Sequence, residues 1–157
     1  RDMKAKLDDE VCYLSDLKPF YSTGKFKMDK SVRGKTLSVN SKQYKKGIGA
    51  LAACELIYTL DGSWDKLTGH VGIDDEVGSK GSVMFRVYAD RKLVFESPEM
   101  NGDNIKQLLA LKLQGVKELR LVLLELNDGN TNDHDRDHQL HKCCATMTCS
   151  HDWQLPA

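Results

Sequence analysis

The chain has 157 residues, which suits one domain built around a single core. Lys plus Arg and Asp plus Glu each number 23, so the formal charge is zero, and a nucleic-acid binder with its basic excess is excluded. No apolar run is long enough to span a bilayer, and Arg1-Asp2-Met3-Lys4 carries no signal-peptide core, so composition leaves the compartment open.

Residues 1–9 are densely charged and read as a frayed segment ahead of the domain. Beyond them, period-two alternation predicts strands at 43–46, 54–60, 66–73, 82–88, 92–97, 105–113 and 118–126. Cys54, Leu56, Tyr58 and Leu60 alternate with Glu55, Ile57 and Thr59. Val83, Phe85 and Val87 alternate with Met84, Arg86 and Tyr88, and Leu119, Leu121 and Leu123 with Arg120, Val122 and Leu124. Such alternation puts one set of side chains on a core face. Ile105, Leu108, Leu109 and Leu113 would also form a helical stripe, but the neighbouring pattern favours a strand. Turn residues punctuate these runs at Asn40-Ser41, Asp61-Gly62, Asp90-Arg91, Asn101-Gly102, Gln114-Gly115 and Asp128-Gly129. Many short strands without a long amphipathic helix give an all-β chain, an antiparallel β-sandwich of jelly-roll type.

Strand parity then predicts where ligands bind. Successive connections in an antiparallel sandwich lie at alternate ends. The tight turns at Asp61-Gly62, Asp90-Arg91 and Gln114-Gly115 are expected at one end. The longer loops at 47–53, 74–81, 98–104 and from 127 onward are expected at the other. Long polar loops on one rim of a rigid scaffold are where binding residues collect.

After Asn127 the sequence turns polar, rich in His and Cys, and reads as a tail without periodicity. His134, His138, His141, Cys143, Cys144, Cys149 and His151 are metal-ligand types, but no Cys-x-x-Cys pair orders them, so a disordered tail is favoured over a zinc or copper site. Cys12 and Cys54 sit among apolar residues and read as small core hydrophobes. The cysteine count of five is odd, which fits poorly with a fully disulfide-bonded secreted domain.

Several strings, in order, resemble one family. They are Tyr13-Leu14-Ser15-Asp16-Leu17, Asp29-Lys30-Ser31, Tyr44-Lys45-Lys46-Gly47-Ile48-Gly49, Val71-Gly72-Ile73-Asp74-Asp75-Glu76-Val77-Gly78, Gly81-Ser82-Val83-Met84-Phe85-Arg86-Val87-Tyr88 and Gly115-Val116-Lys117-Glu118-Leu119-Arg120-Leu121. Together they resemble the NPCBM domain, the family-51 carbohydrate-binding modules. The resemblance places that domain at residues 10–134, followed by an atypical His- and Cys-rich segment at 135–157. It implies a galactose-binding-like sandwich, monomeric and without catalytic residues, acting as an accessory domain of a secreted glycoside hydrolase. It also implies galactose-type ligands and a structural calcium.

Site residues follow from the residues and the resemblance together. Asp74, Asp75 and Glu76 offer carboxylate acceptors for sugar hydroxyls, although an acidic turn facing water explains them equally well. Adjacent strand residues point to opposite faces, so this triplet cannot supply the paired carboxyls of a glycosidase. Asp133 and His134 continue the proposed rim, and Trp153 offers an aromatic face, although it lies well downstream of where the family pattern expects it. Asp128 and Asn130, with Asp29 and Ser31 in the early loop, are the calcium candidates, with Asx-rich turns as the simpler explanation. Trp64 follows a tight turn at the far end and reads as structural. Two departures from the family favour an alternative, an interaction or structural sandwich that has lost its sugar site. Leu51 stands where the family has His, and Gly24-Lys25-Phe26 where it has Gly-Trp-Gly.

Overall fold

The computed structural model describes residues 11–39, 41–75, 82–100, 107–126 and 142–150. These form thirteen strands: β1 (Val11–Cys12), β2 (Tyr21–Thr23), β3 (Phe26–Met28), β4 (Leu37–Val39), β5 (Lys42–Tyr44), β6 (Ile48–Leu51), β7 (Cys54–Thr59), β8 (Lys66–Gly72), β9 (Val83–Ala89), β10 (Lys92–Glu96), β11 (Gln107–Lys112), β12 (Glu118–Glu125) and β13 (Lys142–Ser150). One sheet runs β11-β8-β13-β6-β3, with β1 also paired to β13; the other runs β10-β9-β12-β7-β2. Hairpin β4-β5 stands apart from both. All the pairings are antiparallel, as expected of a β-sandwich.

The alternating strands bury the residues that the period indicates. In β9, Val83, Phe85, Val87 and Ala89 are buried while Met84, Arg86 and Tyr88 are half-buried. Cys54, Leu56 and Tyr58 of β7 and Leu119, Leu121 and Leu123 of β12 share that core, facing Ile48, Leu67, Val71 and Leu109 of the other sheet. Each such Leu, Val or Phe contributes about 1.5–3 kcal/mol through burial, which is why the pattern dominates. Tyr58 enters the core with its hydroxyl donating to the Leu14 carbonyl at 3.5 Å, so the polar end is not left unpaired. The ambiguous stretch before Leu113 is a strand, β11, paired with β8 along its length. Outside, Arg120 pairs with Glu55 at 3.1 Å and lies 6.0 Å from the Tyr88 ring.

Three expectations change. The strand expected at 43–46 is Lys42–Tyr44, and it pairs with Leu37–Val39 rather than entering a main sheet. The loop expected at 47–53 contains β6. Its Gly49 lies against the chain at Lys30-Ser31, where a Cβ would come 2.7 Å from Ser31 Cα. A strand with so close a backbone neighbour must use glycine, so its sequence reads as a turn. The supposed tail contains β13, nine residues lying between β8 and β6. Its Cys143, Ala145, Met147 and Cys149 alternate with Cys144, Thr146, Thr148 and Ser150, a weak period carried by small residues.

The two ends of the sandwich divide as parity requires. At one end Leu60 N–H donates to the Lys117 carbonyl at 2.8 Å, Gly115 N–H to Gly62 at 3.1 Å, and Asp90 N–H to Glu118 at 2.8 Å. At the other, Val83 N–H donates to Met100 at 2.9 Å and Leu126 N–H to Ser82 at 2.9 Å, while Val39 bridges Asp74. Registers Leu51↔Lys142 and Cys144↔Gly72 bring the end of β6 to this same rim.

Candidate functional site

Beyond Gly72 the chain leaves β8 through Ile73, Asp74 and Asp75. Asp74 is 1% exposed, and its Oδ2 accepts the Ser38 backbone N–H at 3.2 Å. Asp75 is exposed, and its Oδ2 accepts the Ser38 hydroxyl at 2.5 Å and the Ser41 N–H at 2.8 Å. The two carboxylates therefore clamp the β4-β5 hairpin onto the rim, and Asp74 has almost no surface to offer a ligand. The partners of Ser38 and Ser41 are more than thirty residues away, so local sequence does not reveal what the two serines bind. The Asn40-Ser41 turn signal marks the hairpin but not what it docks against.

The same end of the sandwich holds Leu51, the 52–53 connection, Ser82 and Ser97–Met100. Ser82 Oγ is hydrogen-bonded to the Glu99 carboxylate, and Ser97 Oγ accepts from the Phe85 N–H at 2.9 Å and donates to the Pro98 carbonyl at 2.8 Å. Leu51 is half-buried, with its N–H donating to Lys25 at 3.0 Å. Gly24 has φ +86°, and a Cβ on it would lie 3.0 Å from Cys54 Cα, so the glycine of this turn is required even though exposed Lys25 follows it. Trp64 is half-buried and packs against the core, as expected of a structural residue. Glu76, Asp128, Asn130, Asp133, His134 and Trp153 lie outside the described residues.

The early loop has a different occupant from the expected calcium. Asp29 Oδ2 pairs with Lys46 Nζ at 2.8 Å, and its Oδ1 accepts the Gly47 N–H at 3.2 Å. The same ammonium reaches Asp16 Oδ1 at 2.6 Å and lies 5.4 Å from the Tyr13 ring centre. Ser31 Oγ accepts the Lys35 N–H at 3.0 Å. Partial burial pushes the Asp29 carboxyl up, but hydrogen bonds led by Lys46 outweigh it and hold the group below the ordinary range. The Lys46 amine is raised, first by its hydrogen bond to Asp16 and then by Asp29. Asp29 and Ser31 so arranged do not fit a calcium ion, because a lysine ammonium occupies the place of the cation. Among the described residues no group of three or more His, Cys, Asp or Glu side chains could hold a metal.

Cys54 lines a small apolar void of about 20 Å³ with Ile48, Ala50, Leu56, Phe85, Leu121 and Leu123. Burial pushes its thiol up to about 11, so it behaves as a core hydrophobe. Cys12 is half-buried on β1, outside that core. Asp16, Leu17, Lys18, Pro19, Ser22, Phe26 and Met28 line an open groove beside β2 and β3.

Comparison with known proteins gives the same architecture. The CBM51 of Clostridium perfringens GH95, solved in complex with methyl-galactose, matches with a TM-score of 0.76 at 26% identity, covering 88% of this chain and 99% of that one. CBM51-2 of Clostridium perfringens ZmpB, solved in complex with GlcNAc and with INT domains, matches with a TM-score of 0.76 at 27% identity, covering 90% of this chain and 31% of that one. Alpha-1,3-galactosidase B of Akkermansia muciniphila is 28% identical over 116 residues, 71% of this chain. This chain spans 14% of that protein's length and 7% of a Renibacterium salmoninarum protein named for endo-alpha-N-acetylgalactosaminidase activity. The family model for the NPCBM/NEW2 domain matches residues 10–138, most of the sandwich just described, and the chain belongs to that family.

Proposed function

We propose that this chain is a non-catalytic carbohydrate-binding module that takes a galactose-type sugar on the rim beside the β4-β5 hairpin. The observation that carries the reading is that the described residues flanking the long connections, Asp74, Ser82, Met100 and Leu126, lie at one end of a sandwich that matches a methyl-galactose-bound CBM51 along 99% of that chain. Asp74 acts by positioning, since its carboxylate is buried against Ser38. Asp75, exposed where it holds the turn end of the hairpin through Ser38 and Ser41, is the carboxylate assigned to a sugar hydroxyl, and charged acceptors make the stronger hydrogen bonds. Glu76, Asp133, His134 and the Trp153 ring complete the proposed site. We assign calcium to Asp128 and Asn130, since Asp29 pairs with Lys46 and Ser31 with the Lys35 N–H.

The short span of the chain relative to its curated relatives supports an accessory role in a longer, secreted glycoside hydrolase. There a monomeric module would raise the local concentration of an enzyme on its glycan. Rim sites that exchange water for sugar hydroxyls bind weakly, so a dissociation constant in the micromolar to millimolar range, about 4–8 kcal/mol, is expected.

Calorimetric titration with methyl-galactose and with GlcNAc tests the reading. Asp75→Ala is expected to weaken galactoside binding about tenfold, the cost of one charge-assisted hydrogen bond. Its melting midpoint, read in parallel, separates lost contact from a loosened hairpin. Leu51, in place of the family's His, favours a second reading in which the scaffold persists without sugar. An intact fold that binds no glycan on an array establishes that alternative and overturns the first.

A further inference from the structure

Charge is unevenly spread along this neutral chain. Residues 13–47 hold nine of its 23 Lys and Arg residues but only two of its 23 carboxylates, Asp16 and Asp29. Both carboxylates are bound to one ammonium, that of half-buried Lys46, at 2.6 and 2.8 Å. The other eight cations are exposed, and none of them is in an ion pair among the described residues. We propose that this stretch forms a second binding surface, one for a sulfated polysaccharide, in addition to the rim site.

The fold gathers these cations on one side of the sandwich. β3 is an edge strand whose Phe26 and Met28 pack against the core, so alternation turns Lys25 and Lys27 outward. The chain beyond it stays on the same sheet. Asp29 N–H donates to the Gly47 carbonyl at 2.7 Å, and the Lys30-Ser31 backbone lies against Gly49, which stands opposite Lys27 on β6. Ser31 then closes a turn around Arg33, its N–H donating to the Lys35 carbonyl at 2.7 Å and its Oγ accepting the Lys35 N–H at 3.0 Å. In the hairpin that follows, Leu37 opposite Tyr44 brings Lys35 and Lys45 to the open end together. With no carboxylate left to offset them, cations held this close favour an anion that spans several at once.

Side-chain chemistry selects the partner. Single-stranded nucleic acid is held by stacking on aromatic rings, and lipid surfaces by inserted apolar side chains. From residue 25 to 45 the aromatic residues are Phe26 and Tyr44, both half-buried, and no large apolar side chain of that span is exposed. Thr36, Ser41 and Gln43 are exposed among the cations, and their hydroxyls and amide suit the hydroxyls of a sugar chain. Eight of the nine cations are Lys. An arginine fork matches a planar carboxylate, whereas a lysine ammonium is a point charge suited to a compact sulfate. The hairpin that carries Lys42 is the one that Asp74 and Asp75 clamp at the rim, so the two surfaces adjoin.

The full chain is applied to immobilised heparin at neutral pH and about 0.15 M salt, where exposed charges act over only about 8 Å. Retention is expected despite the zero formal charge, with elution as salt rises. Arg33→Ala/Lys35→Ala is expected to weaken heparin binding about tenfold, the order of two surface ion contacts. Lys25→Ala/Lys27→Ala, on a separate element, is expected to do the same, so a folding defect in the turn does not hide the effect. Lys92→Ala/Lys117→Ala removes the same charge at exposed positions elsewhere and is expected to leave binding within about twofold. Passage through the column unretained, or an equal loss in all three double variants, overturns the proposal. So does equal affinity for heparin stripped of its sulfates, which keeps its carboxylates, or for single-stranded DNA. Galactoside titration is a separate readout, so failure here leaves the rim reading standing, and failure there leaves this one.

Discussion

Gly49 lies where two stretches of backbone cross. A Cβ there would come 2.7 Å from Ser31 Cα and 3.0 Å from Ser31 C, both backbone atoms that cannot swing aside. Gly49→Ala must therefore move β6 or the Lys30-Ser31 turn, and a cost of about 1–3 kcal/mol is expected from overpacking. A urea titration checks this, with the midpoint falling while the slope stays unchanged. A midpoint equal to the wild type would mean that the turn has slack and that the glycine is there for another reason. The same close approach explains why this strand was illegible in the sequence. The large, alternating residues of β7, β9 and β12 announce both their period and their buried face, whereas a strand squeezed against a neighbour must surrender the very side chains that would reveal it. Asp74 is the complementary case at the site. Its residue type and its place after β8 were legible, but the direction of its carboxylate depends on Ser38, a partner that alternation cannot identify.

Between elements, Lys46 substitutes charge for a metal. Its ammonium joins Asp16, beside the turn that anchors Leu14, to Asp29 at the end of β3. The pH dependence follows from the directions of the shifts. Asp29 titrates below its ordinary value, so its contribution is complete above about pH 4 and is lost as pH falls through the depressed value. Lys46 titrates above its ordinary value, so its contribution is complete below about pH 10 and fades as pH rises through the raised one. Lys46→Met keeps much of the stem and removes the charge. It is expected to lower the melting midpoint near neutrality and to narrow the gap from wild type as the buffer is taken down through the depressed value of Asp29, below which the carboxyl is protonated in both proteins. Thermal melts across an acid pH series check this. A gap that persists undiminished into strong acid would show that packing of the lysine stem over Tyr13, rather than the ion pair, holds the corner.

Across the whole molecule, the largest departure from the sequence reading is β13. A run of Cys, Ala, Met, Thr and Ser has neither the bulk nor the hydropathy of β9 or β12, and the polar stretch before it invites reading the two as one tail. The register explains why modest residues suffice. β13 lies between β8 and β6, with position 145 opposite Ile48 and Val71 and position 149 opposite Leu67, so the bulky core residues come from its neighbours. Membership of a sheet centre was thus encoded in pairing rather than in local hydrophobicity. It follows that the segment is not dispensable. A chain ending at residue 141 would leave β8 without a partner over Cys144↔Gly72 to Ser150↔Lys66 and would strip β6 of its pairing from Lys142 to Ala145. Opening two long edges in the middle of a sheet exposes unpaired backbone and core apolar surface together, a loss comparable to the roughly 5–15 kcal/mol that keeps a domain folded. The shortened chain is expected to lose cooperative melting and to aggregate, whereas the full chain melts cooperatively. Circular dichroism melts of the two forms decide the matter. A cooperative transition at the full-chain midpoint in the shorter form would remove β13 from the core sheet and leave the rim without the strand that joins Leu51 to Gly72.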